Sequence, residues 1–116
     1  MSAINPKVIG DLRALQAGSP GFLVELIDLF VKEADVLVAK LREAQAARDA
    51  RSFERAAHTL KGSCGNLGAQ AMSRICAELQ TAGHAADWAR AAELMPGLET
   101  EFKTVKIELE TEKGRE

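Results

Sequence analysis

Aromatic side chains are scarce in this sequence, which contains no tyrosine, one tryptophan and four phenylalanines among 116 residues. Apolar residues nevertheless make up 47% of the chain, which is the composition of a folded protein rather than a disordered one. A core built mainly from Ala, Leu, Val and Ile favours helices over sheets. The length fits one domain, which we take to span residues 1–116.

The sequence also lacks the features of several functional classes. Its net charge is -2, without the concentrated basic face of a general nucleic-acid binder. No apolar run approaches the roughly 20 residues of a membrane span, and the first residues lack the pattern of a signal peptide. We therefore expect a cytoplasmic protein that binds neither nucleic acid nor membrane. The two cysteines, Cys64 and Cys76, are expected to be reduced thiols there.

No stretch shows the sustained alternation of a strand. Cap residues and apolar stripes of helical periodicity instead predict five helices joined by short loops. The expected limits are Asn5-Pro6 to about Leu15, Ser19-Pro20 to about Arg48, Asp49 to the exit at Asn66-Leu67-Gly68, a fourth helix ending near Gly83, and a last helix capped by Asp87. This pattern predicts an all-α fold, an antiparallel four-helix bundle with the short N-terminal helix packed across one end.

The end of the chain carries two predicted irregularities. Pro96 lies inside the last helix and should kink or break it, because proline removes a backbone hydrogen bond. Residues 112–116 are expected to be frayed. His84 follows Gly83 and is expected to be a solvated loop residue.

The third helix carries a histidine on the side opposite its apolar stripe. With about 100° per residue and His58 set at zero, Leu60 lies at about 200° and Cys64 at about 240°. His58 is therefore expected to be exposed, or partly sheltered by a neighbouring helix. Its own face of the helix holds Arg51, Glu54, Arg55, Lys61, Gly62 and Gly65.

Gly62 and Gly65 lie one and two turns beyond His58, at about 40° and 340°. Because helical side chains lean toward the N-terminus, a bulky residue at position 62 would cover the imidazole. The two glycines therefore predict a clearing for an incoming group, and Lys61 places an ammonium beside it, as suits a phosphoryl group. Two alternatives stay open from spacing alone, namely that the glycines allow close helix packing and that Lys61 is an ordinary solvated lysine.

The segment HTLKGSCGNLGA, residues 58–69, closely resembles the signature of histidine-containing phosphotransfer (HPt) domains of two-component phosphorelays. That family is commonly written H-x-L-K-G-S followed by a small residue and L-G. An I-C-x-E-L-Q segment after the motif is also similar to the family, and the resemblance extends from roughly Asn5 to Leu109. Cys64 departs from the serine or alanine of most relatives but is also small.

The resemblance implies that His58 accepts a phosphoryl group from a receiver-domain aspartyl phosphate and passes it to an aspartate of another receiver. Lys61, Gly62 and Gln80 match the family residues that support the imidazole or phosphate. The partners implied are receiver domains of response regulators or hybrid histidine kinases, and Mg²⁺ is expected on the receiver rather than on this chain. We expect a monomer, and Met1 and the compact length favour a free-standing protein over an excised domain.

Other functional classes fit the sequence less well. A di-iron bundle needs Glu-x-x-His pairs, whereas Glu54 and His58 are four apart, and a zinc site is disfavoured because Cys64 lies far around the helix from His58. We therefore expect no metal site. A histidine kinase is excluded as a whole, because no Gly-rich nucleotide loop is present and the chain could not phosphorylate itself.

The main alternative function is a helical adaptor that binds signalling partners without phosphotransfer. Leu29 and Val36 lie outside the main stripe of the second helix, and together with Phe22 they would supply an exposed apolar patch. The alternative for these residues is that the second helix is broadly buried. An exposed patch near His58 would be the candidate surface for docking a receiver.

Overall fold

Helices account for nearly all of the computed structural model, which describes residues 2–19 and 21–115, except for the side chain of Ala17. The α-helices are α1 (Pro6–Leu15), α2 (Phe22–Ala47), α3 (Ala50–Asn66), α4 (Gln70–His84) and α5 (Trp88–Lys113), with a 3₁₀ helix at Gln16–Gly18. No strand occurs in the described ranges. The predicted all-α fold class is confirmed.

Helix starts follow the cap residues expected from the sequence. The side chains of three caps accept hydrogen bonds from backbone N–H groups two or three residues on, namely Asn5 from Lys7, Asp49 from Ser52 and Asp87 from Arg90. At the start of α2, Pro20 lies outside the described residues, and Gly21 precedes the helix in a left-handed conformation with φ of 86°.

The four long helices close into a bundle because α2 packs on α3 and α5, and α4 packs on the same two helices. Fully buried side chains from all four helices fill the centre. They include Leu23, Ile27 and Leu41 of α2, Phe53 and Leu60 of α3, Met72 and Leu79 of α4, and Leu98 and Leu109 of α5. Each contributes roughly 1.5–3 kcal/mol of hydrophobic stabilisation, so the core fixes the position of every helix face.

Helix α1 packs across one end of the bundle, as predicted. The N–H of Asn5 donates to the carbonyl of Gly68, in the α3–α4 turn, at 2.8 Å. Gly68 has φ of 78°, and an added Cβ there would lie 2.9 Å from Cβ of Val8, so this close approach requires glycine. The Arg13 guanidinium pairs with Glu112 of α5 at 3.0 Å and fastens α1 to the other side of the same end.

The structure corrects three expectations about α4 and α5. Helix α5 continues through Pro96, so of the expected kink or break the break does not occur. The exposed side chains of Pro96 and Ala92 place the interrupted hydrogen bond on the solvent side. The helix also extends to Lys113, whose ammonium pairs with Asp28 at 2.7 Å, so residues 112 and 113 are helical rather than frayed. Residue 116 of the predicted tail lies outside the described residues.

His84 is the last residue of α4 and not a loop residue, although its side chain is exposed as expected.

Candidate functional site

His58 lies in the middle of α3, on the face that no other helix covers, and its side chain is exposed. Directly opposite, Phe53 and Leu60 are fully buried, so the amphipathic pattern of the helix fixes the outward direction of the imidazole. The N-terminus of α3 is held by Asp49, which accepts a hydrogen bond from the hydroxyl of Ser52 at 2.7 Å as well as from its N–H. The hydrogen bond from the Ser52 side chain lowers the pKa of the Asp49 carboxyl and keeps this cap ionised. The predicted exposure of His58 is confirmed.

The surface beyond His58 is open. Among the residues that the structure describes, a Cβ placed on Gly62 or on Gly65 would meet no heavy atom within 4 Å, apart from its two chain neighbours and the helix's own backbone. No neighbouring helix therefore packs closely against either glycine, and the alternative that they serve close helix packing is wrong at both positions. A side chain at position 62 would have free space and would lean back toward His58.

Close packing of α4 on α3 depends instead on Gly83 of α4, which the sequence did not single out for packing. An added Cβ there would lie 2.8 Å from Cδ1 of Phe53 and 3.1 Å from the backbone N of Glu54. No real Cβ tolerates the first distance, so alanine would force α4 away from α3. Gly83 thereby sets the separation of the two helices beside the histidine.

A shallow concavity of about 300 Å³ opens beside the imidazole, between α3 and α4. It is lined by Arg51, Glu54, Arg55, His58 and Gln80. The half-buried Gln80 belongs to α4, so the helix packing brings it to the histidine as the resemblance implied. The three other residues were expected on the His58 face but carried no predicted role.

Lys61 lies outside this concavity, one turn beyond His58, with an exposed side chain. Its ammonium has no ion pair among residues 2–19 and 21–115. The backbone carbonyl of Lys61 accepts a hydrogen bond from the Ser73 hydroxyl of α4 at 3.2 Å. On the other flank, the Ser63 hydroxyl donates to Glu33 of α2 at 2.7 Å. The helix is therefore anchored on both sides while its outer face stays clear.

Charge around His58 is mainly positive. Arg51, Arg55 and Lys61 share its face with one carboxylate, that of Glu54. This carboxylate lies 3.3 Å from Nδ1 of His84 on α4. A phosphoryl group arriving here would meet three cations, whereas the chain as a whole carries a net charge of -2.

The two cysteines are buried free thiols behind the site, on the core side of α3 and α4. A hydrogen bond with Cys76, together with burial, raises the pKa of the Cys64 thiol far above its ordinary value. Because both side chains are fully buried, the two cysteines serve as apolar packing for the helix pair rather than as nucleophiles.

Three further features bear on other kinds of site. In the described part of the chain, no three metal-ligating side chains gather in one place. No helix there is long and apolar enough to cross a membrane. A larger groove, of about 510 Å³, runs between α2 and α3 on the other flank; it is lined in part by Lys40, Asp49, Arg55 and Thr59 and does not include His58.

Comparison with known proteins gives consistent results. The sequence model of the Hpt domain family matches residues 25–111, well over half of the chain. Sensor protein TorS of Escherichia coli K12 is 39% identical over 56 residues, which span 48% of this chain but only 6% of TorS. Histidine-containing phosphotransfer protein 2 of Arabidopsis thaliana is 25% identical over 104 residues, covering 86% of this chain and 67% of that protein.

Solved structures extend the similarity to the whole bundle. Histidine-containing phosphotransfer protein B of Pseudomonas aeruginosa PAO1 superposes with a TM-score of 0.90 at 28% identity, covering 98% of this chain and 96% of that one. ZmHP2 from maize, a histidine-containing phosphotransfer protein, gives a TM-score of 0.84 at 22% identity, covering 96% and 87%. The second likeness supports the fold alone.

Proposed function

Because this chain belongs to the Hpt domain family, we propose that it is a phosphorelay intermediate in which His58 carries the phosphoryl group. It accepts the group from the aspartyl phosphate of one receiver domain and passes it to an aspartate of another. The observation that carries this proposal is the exposed imidazole beside a surface that is open at Gly62 and Gly65. A reaction partner as large as a folded domain needs such access.

The chemistry requires little from this chain except a positioned nucleophile. Imidazole is largely neutral at pH 7, so one ring nitrogen of His58 attacks phosphorus without a dedicated base. A nitrogen–phosphorus bond forms, the bond from phosphorus to the aspartyl oxygen breaks, and the aspartate leaves with the electron pair as a carboxylate. The other ring nitrogen keeps its proton, so the product is a phosphoimidazolium and the total charge is unchanged. The return reaction uses the same steps in reverse.

Supporting groups are assigned by their positions around the ring. Gln80 shares the concavity with His58 and is proposed to hydrogen-bond the imidazole or the phosphoryl oxygens. The Lys61 ammonium, exposed and without an ion pair in the described ranges, is proposed to offset charge that develops on the phosphoryl group. Mg²⁺ is proposed to come with the receiver, so the active site is completed only when the two proteins dock.

The docking face is proposed to include α2 as well as α3. Leu29 and Val36 are 65% and 51% exposed, so the alternative of a broadly buried helix is wrong at these two positions. Phe22, the third member of the predicted patch, is half-buried. Glu33 lies between Leu29 and Val36 in sequence and accepts the hydrogen bond from Ser63 of α3. With about 100° per helical residue, the side chains of Leu29 and Val36 lie within about 60° of that of Glu33 around the axis of α2. The patch therefore borders the His58 face.

Transfer of label tests the proposal directly. The chain is incubated with a phosphorylated receiver domain, and acid-labile, base-stable label is followed. Wild type and His84→Gln, which removes the only other histidine, should both become labelled, whereas His58→Gln should not. If the receiver binds without transferring label to wild type, the chain is an adaptor and the proposal fails.

The role of Lys61 is separable from folding. Lys61→Ala should slow transfer or shorten the phosphohistidine lifetime while leaving the melting temperature nearly unchanged, because the side chain is exposed. Lys103→Ala, which removes another exposed lysine on α5, is the matched control. Unchanged kinetics with a lowered melting temperature would assign Lys61 to structure.

A further inference from the structure

The cations on the N-terminal side of His58 have no role in the account above. We propose that Arg51 and Arg55 bind the phosphoryl oxygens of phosphorylated His58. This inference rests on the proposed function, because it concerns the phosphorylated state of that residue. It assigns the two arginines to the chain's own phosphohistidine rather than to the partner.

The direction of the imidazole supports this assignment. Helical side chains lean over the preceding turn, so the ring of His58 extends toward residues 54 and 55 rather than toward Gly62. Arg55 lies one turn before His58 and Arg51 two turns before, a rise of roughly 10 Å at about 1.5 Å per residue. Both line the concavity that His58 itself borders. A phosphoryl group on the ring would therefore lie over the two guanidinium groups.

The lack of side-chain partners for Arg51 and Arg55 also supports their assignment to the phosphoryl group. Within residues 2–19 and 21–115, the guanidinium groups of Arg51 and Arg55 make no side-chain hydrogen bond or ion pair, and Arg55 interacts with Asp49 only through an electrostatic attraction. Glu54 is the acidic neighbour that could neutralise them, but its carboxylate lies against His84 instead. The concavity thus keeps two guanidinium groups available to an anion.

The phosphoryl group and the guanidinium group are chemically complementary. A phosphoryl group on nitrogen presents three oxygens and up to two negative charges, and a guanidinium binds such oxygens through parallel N–H donors. Lys61 approaches from the opposite side of the ring, one turn toward the C-terminus. Cations would then surround the phosphoryl group along the helix axis, with Gln80 at its flank and the solvent side left for the receiver.

The equilibrium constant of phosphotransfer is the decisive measurement, because it depends on the stability of the free phosphoproteins and not on docking. With a fixed receiver, Arg51→Gln and Arg55→Gln should each shift the equilibrium toward the phosphorylated receiver by about 1.4- to 5-fold, as expected for exposed ion pairs. Arg74→Gln, which removes an exposed arginine elsewhere on α4, should leave it unchanged. Glu54→Gln should shift the equilibrium the opposite way, since it removes a negative charge from the lining of the same concavity.

The outcomes separate the two proposals. An equilibrium unchanged in both arginine variants, with slower transfer, would overturn this inference and make the arginines receiver contacts. Failure of wild type to accept label would instead refute the proposed function. Arg51→Lys and Arg55→Lys guard against a purely structural effect, because a retained charge should restore part of the shift and a packing defect would not respond to charge.

Discussion

Substituting Gly62 should separate folding stability from phosphotransfer. Because an added Cβ meets no atom within 4 Å, Gly62→Ala introduces no clash, and the effect on stability comes from helix propensity alone. Replacing an exposed helical glycine by alanine stabilises by about 1 kcal/mol. For a chain of this length that corresponds to a rise of about 4 °C in melting temperature.

The larger variant Gly62→Gln should also fold, because the same open space receives its side chain and glutamine is a good helix former. Its side chain leans back toward His58 and would stand where the receiver must approach. Misplacing reacting groups by about 1 Å can lower a rate 100-fold, so we expect transfer to fall by about 10- to 100-fold. Thermal unfolding and the initial rate of label transfer measure the two effects on the same samples.

Gly97→Ala is the matched control, because Gly97 is also an exposed helical glycine without neighbours, but on α5. It should raise the melting temperature by a similar amount and leave transfer unchanged. Normal transfer by Gly62→Gln would refute the clearance argument. A lower melting temperature in Gly62→Ala would refute the claim that the glycine is kept at the expense of helix stability.

Three other predictions concern the docking patch, the helix pair and the thiols. Leu29→Asp should raise KM for the receiver without changing the melting temperature, whereas Ile107→Asp, at an equally exposed apolar position on α5, should change neither; equal effects would exclude a specific patch. Gly83→Ala should destabilise the fold by about 1–3 kcal/mol in chemical denaturation, because its Cβ clashes with α3, and an unchanged midpoint would contradict the close approach. Cys64 and Cys76 should react with a thiol reagent only after unfolding, and rapid reaction of the native protein would contradict their burial.

Local signals predicted most of the fold because they act over a few residues. The caps Asn5, Asp49 and Asp87 satisfy backbone groups of their own helices, so no tertiary information was needed to place three helix starts. The outward position of His58 follows from helical periodicity in the same way. Pro96 shows the limit of local reasoning, since buried neighbours on the other side of α5 hold the helix together across it.

The arrangement around His58 could not be predicted as completely, because it depends on how two helices pack. Arg51 and Arg55 were expected on the histidine face, but their position in one concavity with Gln80 depends on the axial register of α4. The role of Gly83 is equally non-local, since a glycine near a helix end also fits an ordinary exit signal. The pairing of Glu54 with His84 follows from that approach and not from any spacing along the chain.

Exposure of the cations around His58 has a consequence for the relay. A buried cluster of guanidinium groups would stabilise phosphohistidine strongly and oppose onward transfer, whereas exposed ion pairs contribute only about 0.2–1 kcal/mol each. Arg51, Arg55 and Lys61 are all exposed. Their combined effect can therefore adjust the transfer equilibrium by an order of magnitude or so without fixing the phosphoryl group in place. A relay that both receives and donates the same group requires this moderate stabilisation, and burying any one of the three cations should make the transfer less reversible.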